Sequence, residues 1–161
     1  MSFGPQGYAL AGGEGEGLWF FNGLMTVKAG GPDTRDAFTL IEAQLPPGFG
    51  APPHIHHEEE EGFYVLEGEV AITCGDQSWT ATPGVFALLP RGIPHSFQAT
   101  GERTLKMLQI TSPAQFERFA AEMGEPAQTM TLPEPSEVDV DKLLRVAPQY
   151  GIEMLPPPTP G

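Results

Sequence analysis

Three of the four histidines and one glutamate stand at spacings that could build a reactive centre. His54 and His56 are two residues apart, so on one strand both imidazoles face the same side. Glu61 follows His56 by five, an odd offset that would put it on the opposite face of a continuous strand. The polar run His57-Glu58-Glu59-Glu60 supplies a turn, after which Glu61 opens a new strand facing the same interior, with Phe63 and Val65 behind it. His95 follows Pro90-Arg91-Gly92-Ile93-Pro94, a turn that launches another strand. Three neutral imidazoles and one carboxylate suit Fe, Mn, Co, Ni, Cu or Zn and are too rich in nitrogen for Mg or Ca. With one carboxylate a divalent centre stays net positive, so an anionic or enolisable substrate oxygen can bind there.

Such side chains need short strands to hold them. Apolar and β-branched runs recur at Leu18–Phe21, Leu24–Ala29, Phe38–Leu45, Phe63–Leu66, Val70–Cys74, Ser78–Ala81, Val85–Leu89, Ser96–Ala99 and Thr104–Ile110. Turn residues separate them, among them Asn22-Gly23, Pro46-Pro47-Gly48, Gly75-Asp76 and Pro83-Gly84. With 20 Gly and 18 Pro in 161 residues, this pattern predicts an all-β sandwich or barrel. Residues 1–17 read as a loose arm, 18–111 as the β domain, and 112–161 as a helical segment with a Pro-rich tail. Ser112-Pro113-Ala114-Gln115 predicts a capped helix start, Phe116, Phe119, Ala120 and Met123 its apolar stripe, and Gly124 its stop. A second short helix is expected over Val140–Val146, then an extended tail, Pro156-Pro157-Pro158-Thr159-Pro160. There is no internal repeat.

Eight Lys and Arg against 21 Asp and Glu give a net charge of −13. That balance argues against nucleic acid, anionic membranes and polyphosphate ligands, all of which need a cationic field. A single cysteine, Cys74, read as a buried small residue, fits a reducing cytosol. No leader pattern or membrane-length apolar run is present, so the expected location is cytoplasmic.

Gly48–Gly68 reads G-x5-H-x-H-x4-E-x6-G, and Gly84–His95 reads G-x5-P-x-G-x2-H. Together they resemble the two sequence motifs of the cupin superfamily. One departure is Ala99, where an Asn often stands four residues after the second motif's histidine. The resemblance implies a small, jelly-roll-like β-barrel of two antiparallel sheets. It also implies that His54, His56, Glu61 and His95 are ligands of one divalent transition metal. The chain is similar to single-domain cupins related to quercetin 2,3-dioxygenase, including Phe116-Glu117-Arg118-Phe119 and Gly124-Glu125-Pro126-Ala127 beyond the barrel.

The other candidates carry blander readings. His57 is a turn residue, and Glu58, Glu59 and Glu60 a solvated turn, with Glu60 the rival to Glu61 as ligand. Tyr64, opposite in face to Phe63, is packing or interface, and Arg91 a surface charge. Phe38, Leu40, Phe63, Phe97, Met107 and Gln109 are the expected lining of a small-molecule pocket. The leading expectation is an oxygen-using enzyme acting on an enolic, flavonol-like or diketone substrate, with Glu61 as both ligand and base. A non-redox cyclase or isomerase and a non-catalytic binding or sensor module are the alternatives. The resemblance implies that a partner covers an exposed barrel edge, and Leu18-Trp19-Phe20-Phe21 is an apolar stretch outside the motif core, so a homodimer is expected.

Overall fold

A computed structural model describes residues 6–156. Residues 1–5 of the expected arm and 157–161 of the Pro-rich tail lie outside the described residues. The chain runs β1 (Glu16–Phe20), β2 (Gly23–Ala29), α1 (Gly31–Thr34), β3 (Thr39–Leu45), β4 (Gly50–His56), β5 (Glu60–Glu67), β6 (Glu69–Cys74) and β7 (Gln77–Ala81). It continues through β8 (Phe86–Leu89), β9 (His95–Thr100), β10 (Leu105–Ser112), α2 (Phe116–Met123), β11 (Glu125–Pro126), α3 (Val140–Val146) and β12 (Ile152–Met154). A 3-10 turn, Ala147–Tyr150, joins α3 to β12.

The strands form two antiparallel sheets, ordered β11-β1-β2-β3-β10-β5-β8 and β12-β4-β9-β6-β7. The jelly-roll expectation holds, as two facing sheets rather than one closed ladder. Alternation decides which side chains meet between them. On the larger sheet Ile41, Ala43 and Leu45 of β3, Phe63 and Val65 of β5, and Leu105 and Met107 of β10 all bury inward. Val70 and Ile72 of β6 come from the smaller sheet. Fully burying a side chain such as Phe63 stabilises the fold by about 1.5–3 kcal/mol. Gly68, which closes the first motif, sits at φ +83°. A Cβ there would lie 2.9 Å from the Thr104 carbonyl oxygen, so the turn into β6 requires glycine.

The nine predicted strands are all present, with ends shifted by a few residues. Glu16 and Gly17, expected in the loose arm, open β1. The arm itself is tied down: Tyr8 Oη donates to the Lys28 carbonyl, and Lys28 Nζ donates to the Ala11 and Glu14 carbonyls.

The C-terminal segment departs most from expectation. Ser112 does not cap a helix; it stays in the β10 ladder opposite Glu60, and its hydroxyl donates to the Ala37 carbonyl. Helix α2 starts at Phe116, and the Gln115 side chain reaches away from it. Beyond the helix, β11 pairs with β1 and β12 pairs with β4, so this segment covers one edge of each sheet. Gly124 permits the first turn back: a Cβ there would lie 2.0 Å from the Trp19 carbonyl oxygen. Helix α3 has the expected bounds, its start capped by Asp139, which accepts from Lys142 N at 3.0 Å. No described helix is long and apolar enough to cross a membrane.

Candidate metal centre

Strand β4 delivers His54 and His56 to the interior, and β9 delivers His95 from the adjacent strand, with His54 opposite His95 in register. Glu61 comes from β5 across the sandwich, opposite Leu89 of β8 and Thr111 of β10. The chain crosses from one sheet to the other between His56 and Glu61, which converts the odd spacing into a shared interior. All four side chains are buried, none more than 7% exposed.

The ring nitrogens are sorted by their partners. His54 Nδ1 lies 2.8 Å from the Pro52 carbonyl oxygen, and His95 Nδ1 lies 3.3 Å from that of Ile93. His56 Nδ1 lies 3.4 Å from Glu59 Oε1. A carbonyl can only accept, so the Nδ1 atoms of His54 and His95 carry the proton and their Nε2 atoms are free to ligate.

One donor atom from each of His54, His56 and His95 lies within 4.8 Å of the other two. Glu61 Oε2 is 3.5 Å from His56 Nε2, and Glu61 Oε1 is 3.3 Å from His95 Nε2. Adjacent donors around an ion with bonds of about 2.1 Å stand about 3 Å apart, so this spacing fits one transition-metal ion. His95 Nε2 is buried without a hydrogen-bond partner, an acceptor that a metal would satisfy. The donor set is mixed nitrogen and oxygen, as the divalent transition metals prefer.

Electrostatics favour the deprotonated forms of His54 and Glu61. Burial, with the nearby His95, pushes the His54 pKa down to about 4, so the ring is neutral and basic at pH 7. Burial alone would raise the Glu61 carboxyl; the imidazoles around it, His56 foremost, outweigh burial and hold the pKa at about 2. For His56, burial is outweighed by the carboxyl groups of Glu61 and Glu59, and the pKa is raised.

Of the expected pocket residues, Phe63, Phe97, Met107 and Gln109 face inward. Gln109 Nε2 donates to Glu61 Oε2 at 3.0 Å, so this side chain orients the carboxylate. Phe97 stacks on Phe49 and meets Phe63 edge-on. Leu40 does not line the interior: with Glu42 and Gln44 it lies on the outer face of β3, because Thr39, Ile41 and Ala43 take the inner one. Phe38, just before β3, is half-buried and outside the core. Phe116, expected in the apolar stripe of a helix, brings its ring centroid to 6.2 Å from that of His56.

The glutamate run is not one solvated turn. Glu60 pairs with Arg91 at 2.5 Å in solvent, and Arg91 holds its carboxyl below the usual range. Glu59 is 1% exposed. His57 points outward and meets Glu153 of β12 at 2.7 Å. Cys74 is free and buried, and burial raises its thiol pKa.

Residues 41–111 match the cupin domain family. Over 119 residues the chain is 30% identical to quercetin 2,3-dioxygenase of Bacillus subtilis, spanning 74% of this chain and 35% of that protein. Over 93 residues it is 33% identical to the HTH-type transcriptional regulator PuuR of Escherichia coli, 58% of this chain and 49% of the regulator. The chain thus spans a third to a half of the length of these two relatives. Among solved structures, KdgF from a Halomonas species superposes with a TM-score of 0.54 at 16% identity, covering 60% of this chain and 84% of that one. Two facing sheets, inward histidines on β4 and β9, and the match over 41–111 agree: this chain carries a cupin domain.

Proposed function

We propose that His54, His56, His95 and Glu61 hold one divalent transition metal and that the chain is a dioxygenase for a small enolic, flavonol-like or diketone substrate. The observation that carries this is the gathering of three imidazole donors and one carboxylate around a single buried point. Similarity to quercetin 2,3-dioxygenase supports the reaction class. When bound, such an ion supplies Lewis acidity and redox capacity toward a substrate oxygen. The chain's own contribution is the proton. Glu61, ionised at pH 7, accepts the substrate's hydroxyl proton, while Gln109 Nε2 fixes Oε2 and leaves Oε1 the freer oxygen. Phe97 meets both Phe49 and Phe63, and Phe116 lies beside His56; such apolar surfaces suit an aromatic ring.

The test is elemental analysis of protein purified without added metal, followed by oxygen uptake with a flavonol and a diketone. Glu61→Gln should lower turnover more than metal content, because an amide oxygen coordinates but does not accept the proton. Wild-type turnover by Glu61→Gln with metal restored would remove the base role. A second reading, a small-molecule sensor without catalysis, is favoured by the similarity to PuuR; ligand binding without oxygen uptake or product would select it.

Assembly as a homodimer belongs to this proposal, through a surface other than the expected one. Leu18 and Phe20 are core residues, and Trp19 Nε1 donates to the Thr131 carbonyl, so the chain covers that stretch itself. The outer face at the other end of the same sheet carries Tyr64, Phe86, Leu88 and Ile110, 42%, 57%, 54% and 39% exposed. These side chains offer about 400 Å² of apolar surface, half of what one partner gives a standard interface, and the rim of a second copy can supply the rest. Light scattering at micromolar concentration should give a dimer, and Leu88→Glu a monomer.

A further inference from the structure

Glu59 is a buried carboxyl group that the proposed reaction does not use. Its Oε1 lies 3.4 Å from His56 Nδ1 and accepts from Gln115 Nε2 at 3.0 Å. Its Oε2 is buried with no hydrogen-bond partner. The Gln115 amide also donates to the Tyr150 carbonyl at 2.9 Å and lies 3.2 Å from Glu58 Oε2. A carboxyl group this deeply buried costs stability unless its contacts return it, and an apolar residue would fill the same space without that cost. A second contact ties the same segments together: β12, which follows Tyr150 after Gly151, pairs with β4 so that Ile152 stands opposite His56 and Met154 opposite His54.

We infer that Glu59 is the positioning residue for His56, and that Gln115 makes this positioning depend on the docked C-terminal segment. Glu59 Oε1 accepts the His56 Nδ1 proton, fixing the tautomer that presents Nε2 toward Glu61 and turning the ring to that side. Gln115 holds the Glu59 carboxyl in place from the start of α2, while gripping the carbonyl that leads into β12. Metal binding and docking of residues 115–154 are therefore linked: an ion that needs His56 in this pose favours the docked segment, and by reciprocity the docked segment tightens the ion. The inference rests on the metal reading above.

The test titrates Co(II) against a chelator in the full chain and follows the visible absorption of the loaded protein. Hydrogen exchange over residues 150–154 is measured with and without metal. Glu59→Ala should weaken Co(II) affinity by about ten- to a hundredfold and alter the Co(II) spectrum. Glu59→Gln keeps an acceptor oxygen for His56 and should recover most of that affinity. Gln115→Ala should weaken binding less, and should abolish the extra exchange protection that metal confers on residues 150–154. A purely structural role would shift the melting point of the metal-free protein in all variants and leave the Co(II) spectrum of the folded fraction unchanged. Wild-type affinity and spectrum in Glu59→Ala would overturn the inference. Should that variant not fold, wild-type affinity and undiminished metal-dependent protection in Gln115→Ala would do the same. Failure of the wild-type chain to take up Co(II), with no metal found on elemental analysis, would overturn the metal reading itself, a result distinct from a variant that matches a metal-binding wild type.

Discussion

The two sides of the histidine cluster are oriented by different means. His54 and His95 are held by backbone carbonyls two residues before each of them, at Pro52 and Ile93. His56 is held by a side chain, Glu59, anchored in turn by Gln115 from the C-terminal segment. A backbone acceptor is set by the fold and survives any single substitution at its own position other than one that moves the chain. A side-chain acceptor can be removed or displaced by the segment that holds it. One side of the centre is thus built into the sandwich, and the other depends on residues far along the chain.

The largest effect should come from removing a ring on either side. His54→Ala, His56→Ala and His95→Ala should each lose most of the metal, by more than about tenfold in occupancy at limiting metal. His57→Ala should retain it, since His57 faces solvent and pairs with Glu153. Elemental analysis of the four variants after gel filtration checks this. Equal loss in all four would break both sides of the comparison at once.

A packing change on the C-terminal side should come next. Phe116 meets Phe20 and Phe119 edge-on and lies beside His56, so Phe116→Ala should destabilise the protein by about 3 kcal/mol. Denaturant unfolding measures it. A change well under 1 kcal/mol would mean that the sandwich closes without this aromatic cluster.

How much of this was legible follows the same division. The strand alternation and both motifs are local patterns, so the inward histidines, Glu61 and the two-sheet fold could be read directly. Glu59 could not be: it sits inside a run of four glutamates, and its hydrogen-bond partner Gln115 is distant in sequence. Leu40 is ambiguous in parity because Phe38 and Leu40 are apolar on the face opposite Ile41, Ala43 and Leu45, so the start of the strand reads either way. β12 is three residues long and reads as the end of a loop until its pairing with β4 is seen.

Acid should act on the metal-free protein through the backbone-held side first. The folded His54 pKa is about 4 against an ordinary 6.5, so between those values the unfolded chain binds the proton and the folded chain does not. Stability should therefore fall as pH drops from about 6.5 to 4, by up to about 3 kcal/mol. His56 opposes this: its pKa is raised, and its contribution is present below 6.5 and lost as pH rises. Glu61 adds a second window, its contribution present above 4.5 and lost as pH falls toward 2. Melting temperatures of the metal-free chain from pH 7 to 4 should decline, and His54→Asn should flatten that decline. An unchanged slope in that variant would move the proton uptake elsewhere.

The smallest effect should come from Glu60, the neighbour of Glu59 on the same run. Its carboxyl is bound at the surface by the Arg91 backbone amide at 2.7 Å and by the guanidinium, and touches none of the histidines. Solvent and salt screen such a pair, so its loss should leave little trace in stability. Glu60→Gln should match the wild type in metal affinity and Co(II) spectrum, where Glu59→Ala departs from it. Glu60 also competes with Glu61 in sequence, since one register shift would exchange them as the carboxylate nearest His95. Loss of metal in Glu60→Gln with retention in Glu61→Gln would mean that β5 enters the sheet one residue out of the register described here, with Glu61 turned outward. Retention in Glu60→Gln alongside lost turnover in Glu61→Gln is the result that the pairing of Glu61 with Leu89 and Thr111 requires.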